Sequence, residues 1–212
     1  MTDQAAKPRR GCFFYGCITS LVLLVIVLVG ILAALHYAKK LVNLYTDTQP
    51  VELPTVQMPP GDVDKLKQRF AAFQDAVRGR RVTEPLVLTA DDINALIASG
   101  PGQQDLKGKF YVNLEGDQCK AELSLPLNMF KGRYLNGSGT FNLAFRNGVL
   151  FVSPQTVTVK GKPLPENYMR EIRKQNLAAK LASDPEAAAV LQGLEDIQVK
   201  DGKLLLLPKD KK

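Results

Sequence analysis

FYVNLEGDQCKAELSLPLNMFKGRYLNGSGTFNLAFRNGVLFV, residues 110–152, alternates apolar and polar side chains and breaks at residues that turn a chain. Phe110, Val112 and Leu114 face one way against Tyr111, Asn113 and Glu115, and Glu115-Gly116-Asp117 reverses the direction. Ala121, Leu123, Leu125 and Leu127 then line an inward face opposite Lys120, Glu122 and Ser124. Pro126 has no N–H for a ladder, so this strand is predicted to end or edge the sheet there. Tyr134 to Arg146 resumes the alternation, with Phe141, Leu143 and Phe145 on one face. Asn147-Gly148 suits the two positive φ angles of a tight hairpin and sends Val149–Val152 back. A further strand, Gln155–Lys160, is predicted after Ser153-Pro154 and ends at Gly161-Lys162-Pro163. Period two with one polar face predicts an antiparallel sheet covered on one side, in an α+β domain.

Downstream, Pro165 opens a predicted helix from Glu166 to Leu181, with Tyr168, Ile172 and Leu177 as its buried side. Ser183-Asp184 caps a short helix from Pro185 to Gly193. Ile197–Lys200 and Lys203–Leu207 flank Asp201-Gly202, a second hairpin signal. Leu204, Leu205, Leu206 and Leu207 are apolar on both faces of that strand, so each face needs cover. One face is assigned to the core; the other falls to a helix, a partner or an apolar ligand, and solid burial is the expected outcome. With Phe141, Leu143 and Phe145, these leucines are the candidate lining of a groove for an acyl chain.

Upstream, Asp62 is predicted to cap a helix reaching Arg80. Its Val63, Leu66, Phe70, Phe73 and Val77 recur every three or four residues. Such a seam can dimerise as a coiled coil, but that normally takes three or four heptads and only two are present. Packing of this face on the domain itself is therefore expected. After Leu86-Val87-Leu88, Thr89 and Asp92 form a capping-box pair for a helix over Ala90–Ala98, with Ile93, Leu96 and Ile97 inward and Asn94 predicted to be exposed. Ser99-Gly100-Pro101-Gly102 stops it.

The stretch NLYTDTQPVELPTVQMPPG, residues 43–61, holds Pro50, Pro54, Pro59 and Pro60, a spacing that favours extended chain. Residues 39–61 are expected to be a stalk, 62–207 the folded domain and 208–212 a charged tail. Between Gly11 and Ala38 no side chain is charged at neutral pH apart from any protonated His36. About 20 residues cross a hydrocarbon core of about 30 Å, so residues 11–38 are predicted to span the lipid bilayer. Phe13, Phe14 and Tyr15 mark one interface, and His36 and Tyr37 the other. A cleaved signal peptide would leave a pair of small residues one apart at its end, and Ala33-Ala34-Leu35-His36-Tyr37-Ala38 offers none that convinces. An uncleaved signal anchor is expected. Lys7, Arg9 and Arg10, in a basic segment over residues 1–10, outnumber Lys39 and Lys40. The positive-inside tendency places the N-terminus in the cytoplasm and the domain outside, in the cell membrane as a single-pass protein.

The chain carries 28 Lys and Arg against 21 Asp and Glu, a formal charge of +7. Residues 1–40 contribute five basic groups against Asp3 alone, so the other 172 residues are nearly balanced. A balanced domain has no electrostatic footprint for a phosphate backbone, and no nucleic-acid partner is expected. Cys12 and Cys17 sit where acyl transferases can reach, although two small residues at a helix end explain them as well. Cys119 stands alone in the domain. His36 is the sole histidine, which leaves the domain no Ser-His-Asp or Cys-His pair and no mixed Cys/His metal site. Asp91-Asp92, Glu115 with Asp117, and Glu195-Asp196 fall in caps, turns and connectors. Gly137-x-Gly139 lacks the third glycine and the helix of a dinucleotide fingerprint. No catalysis, cofactor or metal is therefore expected.

The order LTADDINALI (88–97), AELSLPLNMFKGRYLNGSGTFNLAFRNGVLFV (121–152), VTVKGKPLPENYMREIRKQNL (157–177) and IQVKDGKLLLL (197–207), behind a single anchor, resembles the YpmS-like group of membrane-anchored bacterial envelope proteins of unknown function. More distantly it is similar to tubular lipid-binding domains, whose curved sheet wraps a helix around an apolar channel. The resemblance implies an extracytoplasmic domain that handles lipid or assists envelope assembly, and it offers no catalytic residues. The leading expectation is a non-catalytic membrane-anchored domain that binds lipid or another apolar ligand. The alternative is a structural or adaptor protein of the envelope that works through protein contacts or a homodimer.

Overall fold

The computed structural model describes the backbone of residues 12–100 and 106–209, with side chains from Ile26 onward. The basic segment 1–10, the side chains of Cys12, Phe13, Phe14, Tyr15 and Cys17, the Pro101-Gly102 stop and residues 210–212 of the tail lie outside the described residues.

The chain divides into two compact units, with the boundary between Tyr45 and Thr46. Among the described residues the first contains one helix, α1 (Cys12–Tyr45), of 34 residues. Its segment Ile26–Tyr45 is long and apolar enough to cross a membrane, and none of it is buried. The helix continues past residue 38 because residues 39–45 contain no proline or glycine to stop it. What was expected to be the start of a stalk is thus helical.

The second unit, Thr46–Lys212, mixes helices with two antiparallel sheets. Its elements are α2 (Pro60–Arg78), β1 (Leu86–Thr89), α3 (Ala90–Ser99), β2 (Phe110–Glu115), β3 (Gln118–Pro126), β4 (Tyr134–Arg146) and β5 (Val149–Val159). They continue with β6 (Lys162–Pro163), α4 (Glu166–Arg173), α5 (Ala179–Ser183), α6 (Pro185–Gln192), β7 (Leu194–Lys200) and β8 (Lys203–Pro208). One sheet runs β2-β3-β4-β5-β6 in a meander; the other runs β1-β8-β7. The closing hairpin therefore pairs not with the meander but with Leu86-Val87-Leu88, in the register Leu86 with Leu206 and Leu88 with Leu204. Four residues carry too little periodicity to announce a strand, and only this pairing defines β1.

Turn chemistry accounts for the hairpins. Asn147 and Gly148 take φ of 53° and 76°, and Asp201 and Gly202 take 50° and 70°, the left-handed pair a type I′ turn requires. The sequence places a break at Ser153-Pro154, yet β5 runs through it. The register shifts at Thr140/Phe141, so that Phe141 faces Pro154, Thr140 faces Thr156, and Gln155 is the extra residue of a bulge. Pro154 is fully buried, and its missing N–H costs no ladder bond on this outer side of β5.

Helix ends show where local signals suffice. Thr89 and Asp92 make the reciprocal capping box, and Asp184 accepts from the N–H groups of Glu186 and Ala187. Asp62 does not cap α2. Pro60, with its φ already helical, starts the helix two residues earlier; Asp62 lies in the first turn, 3.2 Å from Lys65 Nζ. The single helix expected over Glu166–Leu181 is broken between α4 and α5. Its buried residues are Met169 and the following Ala178, while Tyr168 and Leu177 are exposed.

That break has a cause. Asn176 leaves the helix to donate from Nδ2 to Leu150 O at 2.9 Å and accept from Val152 N at 3.0 Å, and Leu177 N donates to Val152 O at 3.0 Å. The β2 edge is closed the same way. Asn94, expected to be exposed, is buried; its Nδ2 donates to Val112 O at 2.7 Å and Ala90 O at 2.8 Å, and its Oδ1 accepts from Val112 N at 2.8 Å. A carboxamide has one donor side and one acceptor side, so it matches the outward N–H and C=O of an edge residue as a neighbouring strand would.

The core gathers Leu66, Phe73 and Val77 of α2, Leu86 and Leu88 of β1, Ala95 of α3, Leu191 of α6, and Leu194 and Ile197 of β7. Phe145 and Leu150, from the β4–β5 hairpin, pack against it, as do Leu204 and Leu206. At Gly193 the backbone meets α2 directly: an added Cβ would lie 2.5 Å from Val77 Cγ1 and 2.8 Å from Val77 O. Gly193→Ala should destabilise the domain by about 1–3 kcal/mol through overpacking, read as a lower denaturation midpoint. Asn94→Ala leaves Val112 without its edge partners and should cost about 2–4 kcal/mol in denaturant unfolding followed by circular dichroism.

Candidate functional site

Cross-strand register sorts the meander into two faces. On one lie Phe110, Val112 and Leu114, then Cys119, Ala121, Leu123 and Leu125, followed by Leu135, Gly137, Gly139 and Phe141. Leu143 and Phe145 continue it along β4, paired with Val152 and Leu150, and Val157 and Val159 lie opposite Gly139 and Gly137. The face is apolar throughout. Val112 and Leu114 are buried, whereas Leu123, Leu125, Leu135, Phe141, Leu143, Val157 and Val159 are only half-buried. Phe141 and Gly139 form one unit: a Cβ on Gly139 would lie 3.2 Å from Phe141 Cε2 and 2.7 Å from Thr156 O. The ring thus covers a glycine where the backbones of β4 and β5 leave no room for a side chain.

Of the leucines proposed for a groove, Leu204 and Leu206 pack on the core. Leu205 and Leu207 are half-buried on the opposite face of β8, Leu205 between Val87 and Gln198. A cleft of about 470 Å³ opens between β4 and β7, lined by Leu143, Ala144, Phe145, Asp117 and residues 196–200. It takes in two of the predicted lining residues but none of Leu204–Leu207. The cleft thus brings together Leu143 and Phe145, Phe141 lies farther along the same face of β4, and Leu204 and Leu206 are spent on the core.

Of the seam Val63, Leu66, Phe70, Phe73 and Val77, all but the half-buried Val63 are spent inside the chain. Leu66, Phe73 and Val77 are buried in the core and Phe70 packs on it, so this face is not open to a coiled-coil partner. Two heptads of apolar stripe look alike whether they meet a second copy or their own domain; the sheet beside them decides.

The polar face of the meander carries a contact that sequence did not announce. The segment after α1, read as a free spacer, is docked. Asp47 exchanges backbone hydrogen bonds with Tyr134, at 2.9 and 2.8 Å. Asn136 Nδ2 donates to Asp47 Oδ2 at 2.8 Å and to Gln49 O at 2.9 Å, and Ser124 Oγ accepts from Val51 N at 3.0 Å. Lys160 Nζ donates to Thr46 O at 3.1 Å. Thr46, Leu53, Ser124 and Asn136 are buried in consequence. Prolines in the stretch predicted extended chain, but its partners lie more than 70 residues away and leave no local signal.

Titratable groups form few constellations. Among the described residues no three His, Cys, Asp or Glu side chains converge. Asp117 and Asp196 line the same cleft, but Asp196 is engaged by Ile197 N at 2.7 Å and Gln198 Nε2 at 2.6 Å. Asp92 is held by Thr89 N and lies 3.4 Å from Arg69. Cys119 sits on the apolar face between Leu114 and Phe141, and burial pushes its thiol above the ordinary value of 9.0.

No family model, curated protein or solved structure matches this chain. Its chemistry rests on its own residues.

Because the thiolate is the reactive form, Cys119 should react more slowly than an exposed cysteine at pH 8, its rate climbing with pH and still climbing above pH 9.0. Alkylation followed by peptide mass spectrometry across pH measures this. Asn136→Ala removes three side-chain bonds to the docked segment, one of them accepted from Val51 N at 3.4 Å, and amide exchange at Val51 should accelerate about 5- to 30-fold, on the basis of about 1–2 kcal/mol lost.

Proposed function

We propose that this chain is a single-pass membrane protein, N-terminus in the cytoplasm, whose extracytoplasmic domain binds lipid or another apolar ligand without catalysing a reaction. One observation carries it: an uninterrupted apolar face on the five-stranded sheet whose middle, Leu123, Phe141, Leu143 and Val157, is only half-buried. Solid core packing reaches that sheet at Phe145 and Leu150. A half-buried apolar strip leaves room for a ligand or partner, and the nearest source of apolar molecules for an anchored domain is the bilayer itself. Curvature of the sheet belongs to this reading; the bulge at Thr140/Phe141 would supply it by increasing local twist. The YpmS-like resemblance points the same way.

The adaptor alternative has its own observation. Phe151, Tyr168, Leu177 and Leu181, on β5, α4 and α5 and the turn between them, are each 44–48% exposed. Crosslinking in membranes would then capture a defined partner or dimer, and Leu177→Asp would abolish the capture.

For lipid binding, the full chain reconstituted with photoactivatable phospholipid should label peptides containing Leu123 and Phe141. Phe141→Asp, if circular dichroism shows it folded, should cut that labelling by about fivefold or more while leaving α1 labelled, since a carboxylate on an apolar face is costly to desolvate. Labelling confined to α1, or indifferent to Phe141→Asp, would remove the lipid-binding reading.

A further inference from the structure

We propose that the β3–β4 loop, Leu127–Arg133, inserts into the surface of the bilayer that α1 crosses, giving the domain a second attachment to anionic lipid. The inference rests on α1 being a membrane span but not on the apolar sheet face binding a ligand.

Its first support is exposure held by structure. Met129 is 88% and Phe130 42% exposed, two consecutive large apolar side chains at a loop tip. The loop is built, not slack: Phe130 N donates to Leu127 O, Arg133 N to Phe130 O, and Leu127 N to Arg133 O, at 2.8 to 2.9 Å. Gly132 closes it at φ 71°. This geometry keeps Met129 and Phe130 from folding back onto the sheet.

Its second support is chain connectivity. Tyr134, the residue after the loop, is bonded through its backbone to Asp47, and Asp47 follows the end of α1 by two residues. Two residues reach about 7 Å at most. From Lys39, the first charged residue after the apolar run, six helical residues to Tyr45 advance about 9 Å, against about 5–7 Å for the headgroup layer on one side. Chain connectivity therefore keeps Asp47, and with it the start of β4, within about 16 Å of Lys39, and the turn from Phe130 to Arg133 holds the loop tip beside that tether.

Charge agrees. The loop holds Lys131 and Arg133 and no acidic residue, and Lys131 is exposed, as is Lys162 at the neighbouring end of β5 and β6. Apolar tips flanked by basic side chains suit the boundary of an anionic membrane, where rings settle at headgroup depth and cations meet phosphate. By contrast Phe151, opposite Ala144, lies about 30 Å farther along β4.

The chain contains no tryptophan, so one added indole reports alone. Full-length Phe130→Trp and Met129→Trp chains would be reconstituted in phosphatidylglycerol–phosphatidylcholine vesicles whose acyl chains carry bromine. Leu28→Trp serves as the span control and Phe151→Trp as the distant one. The expected result is quenching of about twofold or more for the indole at position 130 or 129 and for that at position 28, with little at position 151, because bromine quenches only indoles at acyl-chain depth. Quenching at position 28 with none at 129 or 130 would overturn the loop's insertion and leave the anchor standing. Absence of quenching at position 28 as well would overturn both.

Discussion

A five-stranded sheet that does not close on itself leaves backbone to satisfy along β2 and along the stretch of β5 that the two-residue β6 does not reach, and here an asparagine stands at each. Asn94 meets the outward N–H and C=O of Val112 on β2, while Asn176 meets Leu150 and Val152 on β5. Both do what an added strand would do, without adding one. Unpaired edges invite pairing with other chains, and buried backbone groups left unpaired cost stability. Helix α3 and the α4–α5 break are positioned by these bonds: the first is pinned to β2 through its fifth residue, and the second is interrupted so that one side chain can leave it.

With the edges settled, the polarity of the domain follows. The β4–β5 hairpin reaches toward α6, where a Cβ on Gly148 would lie 3.5 Å from Gln192, and its Phe145 and Leu150 join the core. At the other end of the same strands, Tyr134 and Asn136 take hold of the segment that follows α1. Thirteen residues of β4 separate the two ends by about 40 Å. The small sheet and the helices are thus built at one end, and the link to the anchor at the other. Along β4 the apolar face stays half-buried, and it offers Phe141 and Leu143 as functional candidates where Leu204 and Leu206 are spent on the core.

Much of this was written locally. The capping box at Thr89 and Asp92, the Asp184 cap, and the Asn147-Gly148 and Asp201-Gly202 turns act over three or four residues and appear where the sequence places them. The two faces of β2, β3 and β4 follow from alternation alone. What failed were assignments that depend on a distant partner. Asn94 lies among apolar residues on a short helix, and nothing local distinguishes a solvent-facing amide from one that closes a strand. Asn176 sits inside a stretch of good helix formers and breaks it for a bond to β5. The prolines of residues 50–60 correctly indicate extended chain but are silent about Ser124 and Asn136, which hold it.

Sequence by itself determined the elements that need only near neighbours: a long apolar helix near the N-terminus, three strands of the meander, their hairpins and most helix caps. It also placed most of the net positive charge with the anchor, since residues 1–40 hold five basic groups against one acid. Tertiary structure alone decided that Leu86–Thr89 is a strand, that the α2 seam faces its own core, and that Leu204–Leu207 divides between core and open face. The physical reason is common to all three. An apolar side chain states only that it must leave water, because burial is proportional to area and has no direction, whereas the partner that covers it is chosen by the geometry of the whole chain.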